Sequence, residues 1–447
     1  MKVLLVQAYQ GRYEPEGAIF PIGLCYISTA LNEHEVRILD LNLFVHPYDE
    51  LRKTLEDFDP DIVGLSLRNI DTTQRRDIFY YFKTLKPTVR LVKEFRPSTR
   101  LVLGGSGFSM FAREIMERVT EIDFGVYLEG EESTPELLKN LDNADFVKGI
   151  FIRKGDQVVF TGPRPLPDMK SLGIPNRQLI DVNRYKHPVY TNIGVQTKRG
   201  CSLMCAYCSY PFLNGRKIRV RPYSQVVDEI EHLKNQFDVR RFMFVDSVFN
   251  IPEQHAEGIC REIIRRRIDV EWSAFFDMRR FSKELLTLAI EAGCRNFSFS
   301  PDAVTDASLK ALGKGISEKD ISRVMRMLKQ TKRVRAEFHV FCTPPGQTLL
   351  GFAKTLLFYL KVNALFLGRA VVHFGWIRIE PETRMYELAK SDGIISEETN
   401  LLPVEEKALR ELFYSCPRTR AYGDPVINAM LAVQERLYPL VKRVIRR

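Results

Sequence analysis

The chain has 447 residues, 45% hydrophobic and 27% charged, with eight cysteines and a net charge of +10. That composition excludes intrinsic disorder and a disulfide scaffold, and the length suits two or three globular domains. The positive surplus is diffuse. Its densest runs, Arg261–Arg267 and Lys442–Arg447, read as solvated helix faces and a tail rather than a nucleic-acid footprint. No run of 18 apolar residues and no cleavable leader is found, so a cytoplasmic protein without a transmembrane span is expected.

Residues 1–145 alternate strand and helix signals. Strands are expected at Val3–Val6, Val36–Leu39, Asp61–Leu67, Leu101–Gly105 and Ile122–Val126, with a helix at Pro21–Leu31 and a long one broken near Pro87. Short apolar runs separated by helices imply a parallel, doubly wound sheet, which binds ligands at the carboxyl ends of its strands. Residues 146–189 read as a hairpin (Ile150–Arg153, Gln157–Phe160) followed by a stiff linker carrying Pro163, Pro165, Pro167 and Pro175.

Residues 190–380 hold a second series. Six strands are expected, at Tyr190–Thr197, Arg241–Val245, Val270–Phe275, Asn296–Ser300, Ala336–Cys342 and Val371–Ile379, with helices between them. Residues 381–447 are helical and basic, and read as a cap. An amphipathic tail, Leu437–Arg447, offers a possible peripheral contact with anionic lipid.

The loop after the first of these strands is Gly200-Cys201-Ser202-Leu203-Met204-Cys205-Ala206-Tyr207-Cys208. Three thiolates at spacings of four and three can hold one face of a metal centre, and no fourth Cys or His stands nearby to close a structural zinc site. An iron left open on a [4Fe–4S] cluster could bind substrate, whereas closure by four cysteines would favour electron transfer.

This motif, with Tyr207 as its aromatic, resembles the CxxxCxΦC signature of the radical S-adenosylmethionine (SAM) enzymes. The resemblance implies a partial (β/α)6 barrel in which Cys201, Cys205 and Cys208 ligate a [4Fe–4S] cluster and SAM takes the fourth iron. By position, Asp246 would accept the SAM ammonium, and Ser298 or Ser300 would meet its ribose or carboxylate. Asp302 is a further candidate there, and Trp376, Arg378, Tyr386 and Tyr422 are candidates for substrate contact.

The first domain resembles the cobalamin-binding domain found upstream of many radical SAM modules, through Pro21-Ile22-Gly23-Leu24, Leu103-Gly104-Gly105 and Gly130-Glu131. The usual segment with a cobalt-ligating His is missing, and the branch lacking that ligand fits better. Gly104, Gly105, Asn69, Glu129 and Gly130 would border the cofactor, and Arg68 would lie under the corrin, paired alternatively with Asp71. A guanidinium has no acceptor and cannot ligate cobalt.

The implied architecture is α/β: a Rossmann-like (flavodoxin-like) cobalamin-binding domain, a radical SAM barrel and a helical C-terminal cap. The implied function is methyl transfer from SAM, by way of methylcobalamin, to an unactivated carbon or phosphorus centre of a small molecule. A one-electron reductant such as flavodoxin or ferredoxin would be the partner. The alternatives are a non-methylating radical rearrangement, cyclisation or coupling with the first domain as scaffold, and an iron–sulfur electron carrier.

Overall fold

The computed structural model describes residues 1–13, 18–187, 192–331 and 334–445, with side chains through residue 436. The first sheet contains β1 (Lys2–Gln7), β2 (Glu35–Asp40), β3 (Ile62–Ser66), β4 (Arg100–Gly104), β5 (Phe124–Val126), β6 (Ile150–Lys154) and β7 (Gln157–Phe160). Its order is β2-β1-β3-β4-β5-β6-β7, so the first five strands have the flavodoxin arrangement, with the switch point between β1 and β3. β1 is buried on both faces: Leu4 and Val6 enter one apolar cluster, Val3 and Leu5 the other. This is the pattern of a sheet covered by helices on each side.

The hairpin expected in the bridge belongs instead to this sheet. β6 pairs antiparallel with β5 and β7 with β6, so the first domain extends to Phe160. Ile150, Phe151 and Ile152 are all buried, and Phe151 stacks on Phe160 at 4.8 Å. An apolar segment of that kind needs a sheet to cover it. The helix expected to break at Pro87 begins at Leu85 and runs to Phe95. Proline therefore falls in the first turn, where its missing N–H costs little.

The second sheet is parallel, in the order β8 (Gly194–Val195), β11 (Arg241–Phe244), β12 (Glu271–Phe276), β13 (Cys294–Asp302), β14 (Arg335–Phe341) and β15 (Ala370–Gly375). Between β8 and β11, β9 (Lys198–Arg199) pairs antiparallel with β10 (Arg219–Val220) across the base of the cysteine loop. Tyr190 and residue 191 of the expected first strand lie outside the described residues. One face of the sheet is an aromatic layer turned toward the helices, including Phe244, Trp272, Phe276, Phe297, Phe299 and Phe338. The alternating positions, Asn296, Ser298, Ser300, Glu337, His339 and His373, line the opposite, lumenal face.

The last expected strand divides. β15 ends at Gly375, and β16 (Ile377–Arg378) turns away to pair with β17 (Phe413–Tyr414). The C-terminal segment is also a brace between domains. Arg75 and Arg76 of the first domain pair with Asp424 and Glu435 on helix Arg420–Ile445, and Lys83 pairs with Glu406. The side chains of the Leu437–Arg447 tail lie outside the described residues. Helix Leu349–Phe366 is long and apolar enough to cross a membrane by length and composition, a feature that the search for an unbroken apolar run passed over. Its Phe358 and Phe366 pack on Phe338 of β14, as in a barrel helix.

Candidate active site

The cysteine loop is held in place by backbone. Gly200 has φ +90°, and a Cβ there would stand 2.2 Å from the Lys217 carbonyl, so only glycine fits. Cys201 N–H donates to the Gly215 carbonyl (3.0 Å), Ala206 N–H to Leu312 (2.8 Å) and Met385 N–H to Ala206 (2.7 Å). The loop is thereby clamped between the segment after helix Asp306–Ala311 and the start of helix Arg384–Ser391.

Behind it lies an ion pair that sequence reasoning missed. Lys314 sits 2.5 Å from Asp302 Oδ2, and the Tyr207 hydroxyl donates to the same oxygen at 2.6 Å. Asp302 is buried at φ +65°, beyond a register shift in β13. The Tyr207 ring meets Phe341 edge-on at 4.8 Å. Burial pushes the Cys205 and Cys208 thiols up, Cys208 to about 12, while the Lys314 ammonium pulls Cys205 down. Such thiols give up their protons to a metal rather than to water, and Lys314 offsets part of the charge that ligation leaves. A cavity of about 260 Å³ opens beside Cys205, Cys208, Phe212 and Arg384. Three thiols on one short loop, a buried cation and a cavity beside two of them suit a cluster ligated at three irons.

The role expected of Asp246 is corrected by its surroundings. Its Oδ1 accepts from the Thr197 and Lys198 N–H groups, and its Oδ2 from the Thr197 hydroxyl and Lys198 Nζ. These fill the four acceptor positions of a carboxylate. Asp246 therefore orients the strand that leads into the cysteine loop and has no site left for an ammonium. His255 lies beside this pair. Burial and the Lys198 charge push its imidazole down to about 4, and its Nε2 has no hydrogen-bond partner among the described residues. The native state thus keeps His255 neutral while the unfolded chain protonates it near 6.5. Its contribution to stability is full above pH 6.5 and is lost as pH falls toward 4. We expect denaturation midpoints of wild type to fall over that window more steeply than those of His255→Gln; parallel profiles would contradict this.

Ser298 is also committed, its hydroxyl donating to Glu337 Oε2 at 3.3 Å. Ser300 is half-buried on the same face, two residues nearer the cysteine loop. Arg378 is buried against Asp71 (3.1 Å), and Trp376 Nε1 donates to Asp424 (2.8 Å), so neither is presented to a substrate. Glu380 was overlooked. It is a half-buried carboxyl beside Ser209, next in sequence to Cys208, and burial raises its pKa.

In the first domain, Gly104, Gly105, Glu129 and Gly130 border one cavity of about 230 Å³, together with Gly23, Ser66, Ser106 and Thr134. Gly23, in the first turn of helix Ile22–Ala30, has nothing within 4 Å of where a Cβ would stand, so glycine there leaves the cavity open. Gly105 (φ +102°) lets β4 turn against the Leu67 carbonyl, 2.5 Å from a virtual Cβ. Glu129 is not a free acceptor: it pairs with Arg199 (2.8 Å) and Arg219 from the barrel, and Glu131 takes the other arm of Arg199 (2.5 Å). The cavity wall is thus also a domain joint.

Arg68 follows β3, at the switch-point edge. Its carbonyl accepts from Gly107 N–H, and a Cβ on Gly107 would clash with the half-buried Asn69. Arg68 is an exposed residue whose guanidinium has no hydrogen bond or ion pair among the described residues, and neither it nor Asn69 lines the cavity. Its expected alternative partner, Asp71, is taken by Arg378. His46 stands beyond the edge strand β2, at the start of helix Pro47–Phe58.

A flavodoxin-like sheet with a glycine-rimmed cavity is thus joined to a second, parallel sheet headed by the three-cysteine loop. The B12-binding domain pattern matches residues 13–138, and the radical SAM superfamily pattern matches residues 195–358. The chain is 24% identical to an uncharacterized methyltransferase of Pyrococcus horikoshii, over 84% of this chain and 79% of that one. It is 28% identical to the anaerobic magnesium-protoporphyrin IX monomethyl ester cyclase of Cereibacter sphaeroides, over 74% of this chain but only 55% of the cyclase. The radical SAM methyltransferase TsrM of Kitasatospora setae, solved with tryptophan substrate and a SAM analogue, superposes with a TM-score of 0.76. That match has 23% identity and covers 88% of this chain and 77% of TsrM. The chain thus carries a B12-binding domain pattern and a radical SAM superfamily pattern, and over most of its length it is similar in sequence to an uncharacterized methyltransferase and in fold to TsrM.

Proposed function

We propose that the enzyme transfers a methyl group from SAM to an unactivated carbon centre of a small molecule, with Arg68 beneath the cobalamin in place of a ligating His. Bound cobalamin would carry the methyl group, and a cluster with SAM would supply radical chemistry. The observation that carries the reading is the Arg68 guanidinium at the switch-point edge, without a hydrogen bond or ion pair among the described residues, where a permanent cation would offer the cofactor no ligand. Gly23 and Gly104 leave room for the cofactor, and Arg199 and Arg219 neutralise the acidic wall beside it. With Asp246 committed, Glu380 beside Ser209 is a carboxylate that would accept the SAM ammonium, and Ser300 a hydroxyl that would meet its ribose.

TsrM acts on tryptophan, which makes compact aromatic amino acids and related heterocycles the first acceptors to try. The cluster would be reduced by a flavodoxin- or ferredoxin-like donor in the cytoplasm. The test is incubation with SAM bearing a deuterated methyl group. Label should enter an added acceptor, and Arg68→Ala should slow that transfer and alter the visible spectrum of the bound cobalamin. An unchanged spectrum and rate in Arg68→Ala would refute its role. Label confined to methionine, with 5′-deoxyadenosine formed, would favour the non-methylating chemistry suggested by the cyclase relative.

A further inference from the structure

The lumen of the barrel holds a polar group that methyl transfer does not use. Phe338 of β14 packs outward on Phe358 and Phe366, so Glu337, His339 and Phe341 turn inward. His339 is the register partner of His373 on β15. Their rings stack with centroids 4.8 Å apart and 18° between planes. Both Nε2 atoms converge on Glu337 Oε2, at 3.6 and 3.8 Å, and the three donor atoms lie within 4.8 Å of one another.

Those gaps are too long for hydrogen bonds, yet His339 Nε2 is buried with no hydrogen-bond partner among the described residues. Around a tetrahedral ion with bonds of about 2.1 Å, donor atoms stand about 3.4 Å apart. The two nitrogen–oxygen gaps need close by only a few tenths of an ångström to reach that spacing. Glu337 is already oriented: Asn296 Nδ2 donates to its Oε1 at 2.8 Å and the Ser298 hydroxyl to its Oε2 at 3.3 Å. Such outer partners are what hold a metal's ligands in place.

We infer that Glu337, His339 and His373 form a binding site for one divalent transition-metal ion, with at least one coordination position open to the lumen. Two imidazoles and one carboxylate select zinc or ferrous iron over magnesium or calcium. The open position would take an oxygen or nitrogen donor of a molecule in the lumen. The site is distinct from the cysteine loop. Phe341, two residues on along the same face, touches Tyr207, which puts His339 about 7 Å further down the strand.

The test uses protein loaded with cluster and cobalamin, dialysed against micromolar zinc sulfate, desalted, and counted for zinc and iron by mass spectrometry. Wild type should retain one zinc per chain in addition to the cluster iron. His373→Ala and Glu337→Gln should retain at most about a tenth of that with iron unchanged, and Asn296→Ala should bind zinc about tenfold more weakly. His373 is half-exposed, so its loss leaves the fold intact; His373→Gln serves if the alanine variant loses iron. No zinc on wild type, or equal zinc on wild type and the His373 variant, overturns the assignment.

Discussion

Replacing Glu229 by glutamine is expected to destabilise the folded chain by about 3–5 kcal/mol. Glu229 is fully buried, and so are the two arginines it serves, Arg177 Nη2 and Arg221 Nη1, each at 2.5 Å. Arg177 Nε and Nη1 and Arg221 Nε and Nη2 have no hydrogen-bond partner among the described residues, so the carboxylate is the main compensation for both cations. Removing one member of a buried charge cluster leaves the remainder stranded in a low dielectric. The cluster also joins the domains. Arg177 comes from the proline-rich linker, lies over Phe20 at 4.9 Å and donates to Gly194 of β8. Arg221 reaches Tyr26 of the first domain at 3.2 Å. A fall in melting temperature of about 3–5 °C should follow. The exposed pair Arg241–Glu271 is the control, and Glu271→Gln should cost under about 1 kcal/mol. Equal small effects at both positions would contradict the ranking.

Asp302→Asn is expected to lower cluster content, or the rate of SAM cleavage, by about 10–100-fold. It leaves Lys314 buried against the cysteine loop without its counter-charge and weakens the acceptor of the Tyr207 hydroxyl. Tyr207→Phe removes only the hydrogen bond and should cost about 1 kcal/mol. The measurement is iron per chain, with 5′-deoxyadenosine formation followed on the same preparation. Full iron and an unchanged rate in Asp302→Asn would show that the ion pair is incidental to the cluster.

Both predictions turn on partners far apart in the chain, and that is where sequence reasoning stopped. The cysteine loop was legible because its three ligands and aromatic fall within eight residues. The two strand series were legible because short continuous apolar runs, separated by helices, leave few other folds. Asp246 was legible as a residue at a strand end but not as one whose acceptors Thr197 and Lys198 already fill from the neighbouring strand. Glu129 was placed at the cavity, yet its arginine partners lie 70 and 90 residues away. The allegiance of the hairpin depended on β5 needing a neighbour. In Arg335–Phe341 the inward Glu337 and His339 alternate with apolar residues, a signal that could have been read. Only the register with β15 brings His373 to them.

The central claim is that one chain holds both a three-cysteine cluster and a cobalamin bound in the glycine-rimmed cavity of the first domain. The most direct measurement is anaerobic reconstitution with iron, sulfide and hydroxocobalamin, followed by desalting and the ultraviolet–visible spectrum of wild type and Gly23→Leu. The account predicts cluster absorbance together with stoichiometric cobalamin in wild type. In Gly23→Leu the cluster should remain and the cobalamin should be lost, because a leucine side chain would occupy the space that now adjoins residue 23. Wild type that keeps its cluster while cobalamin washes away, or a Gly23→Leu variant that retains cobalamin as wild type does, would contradict the account.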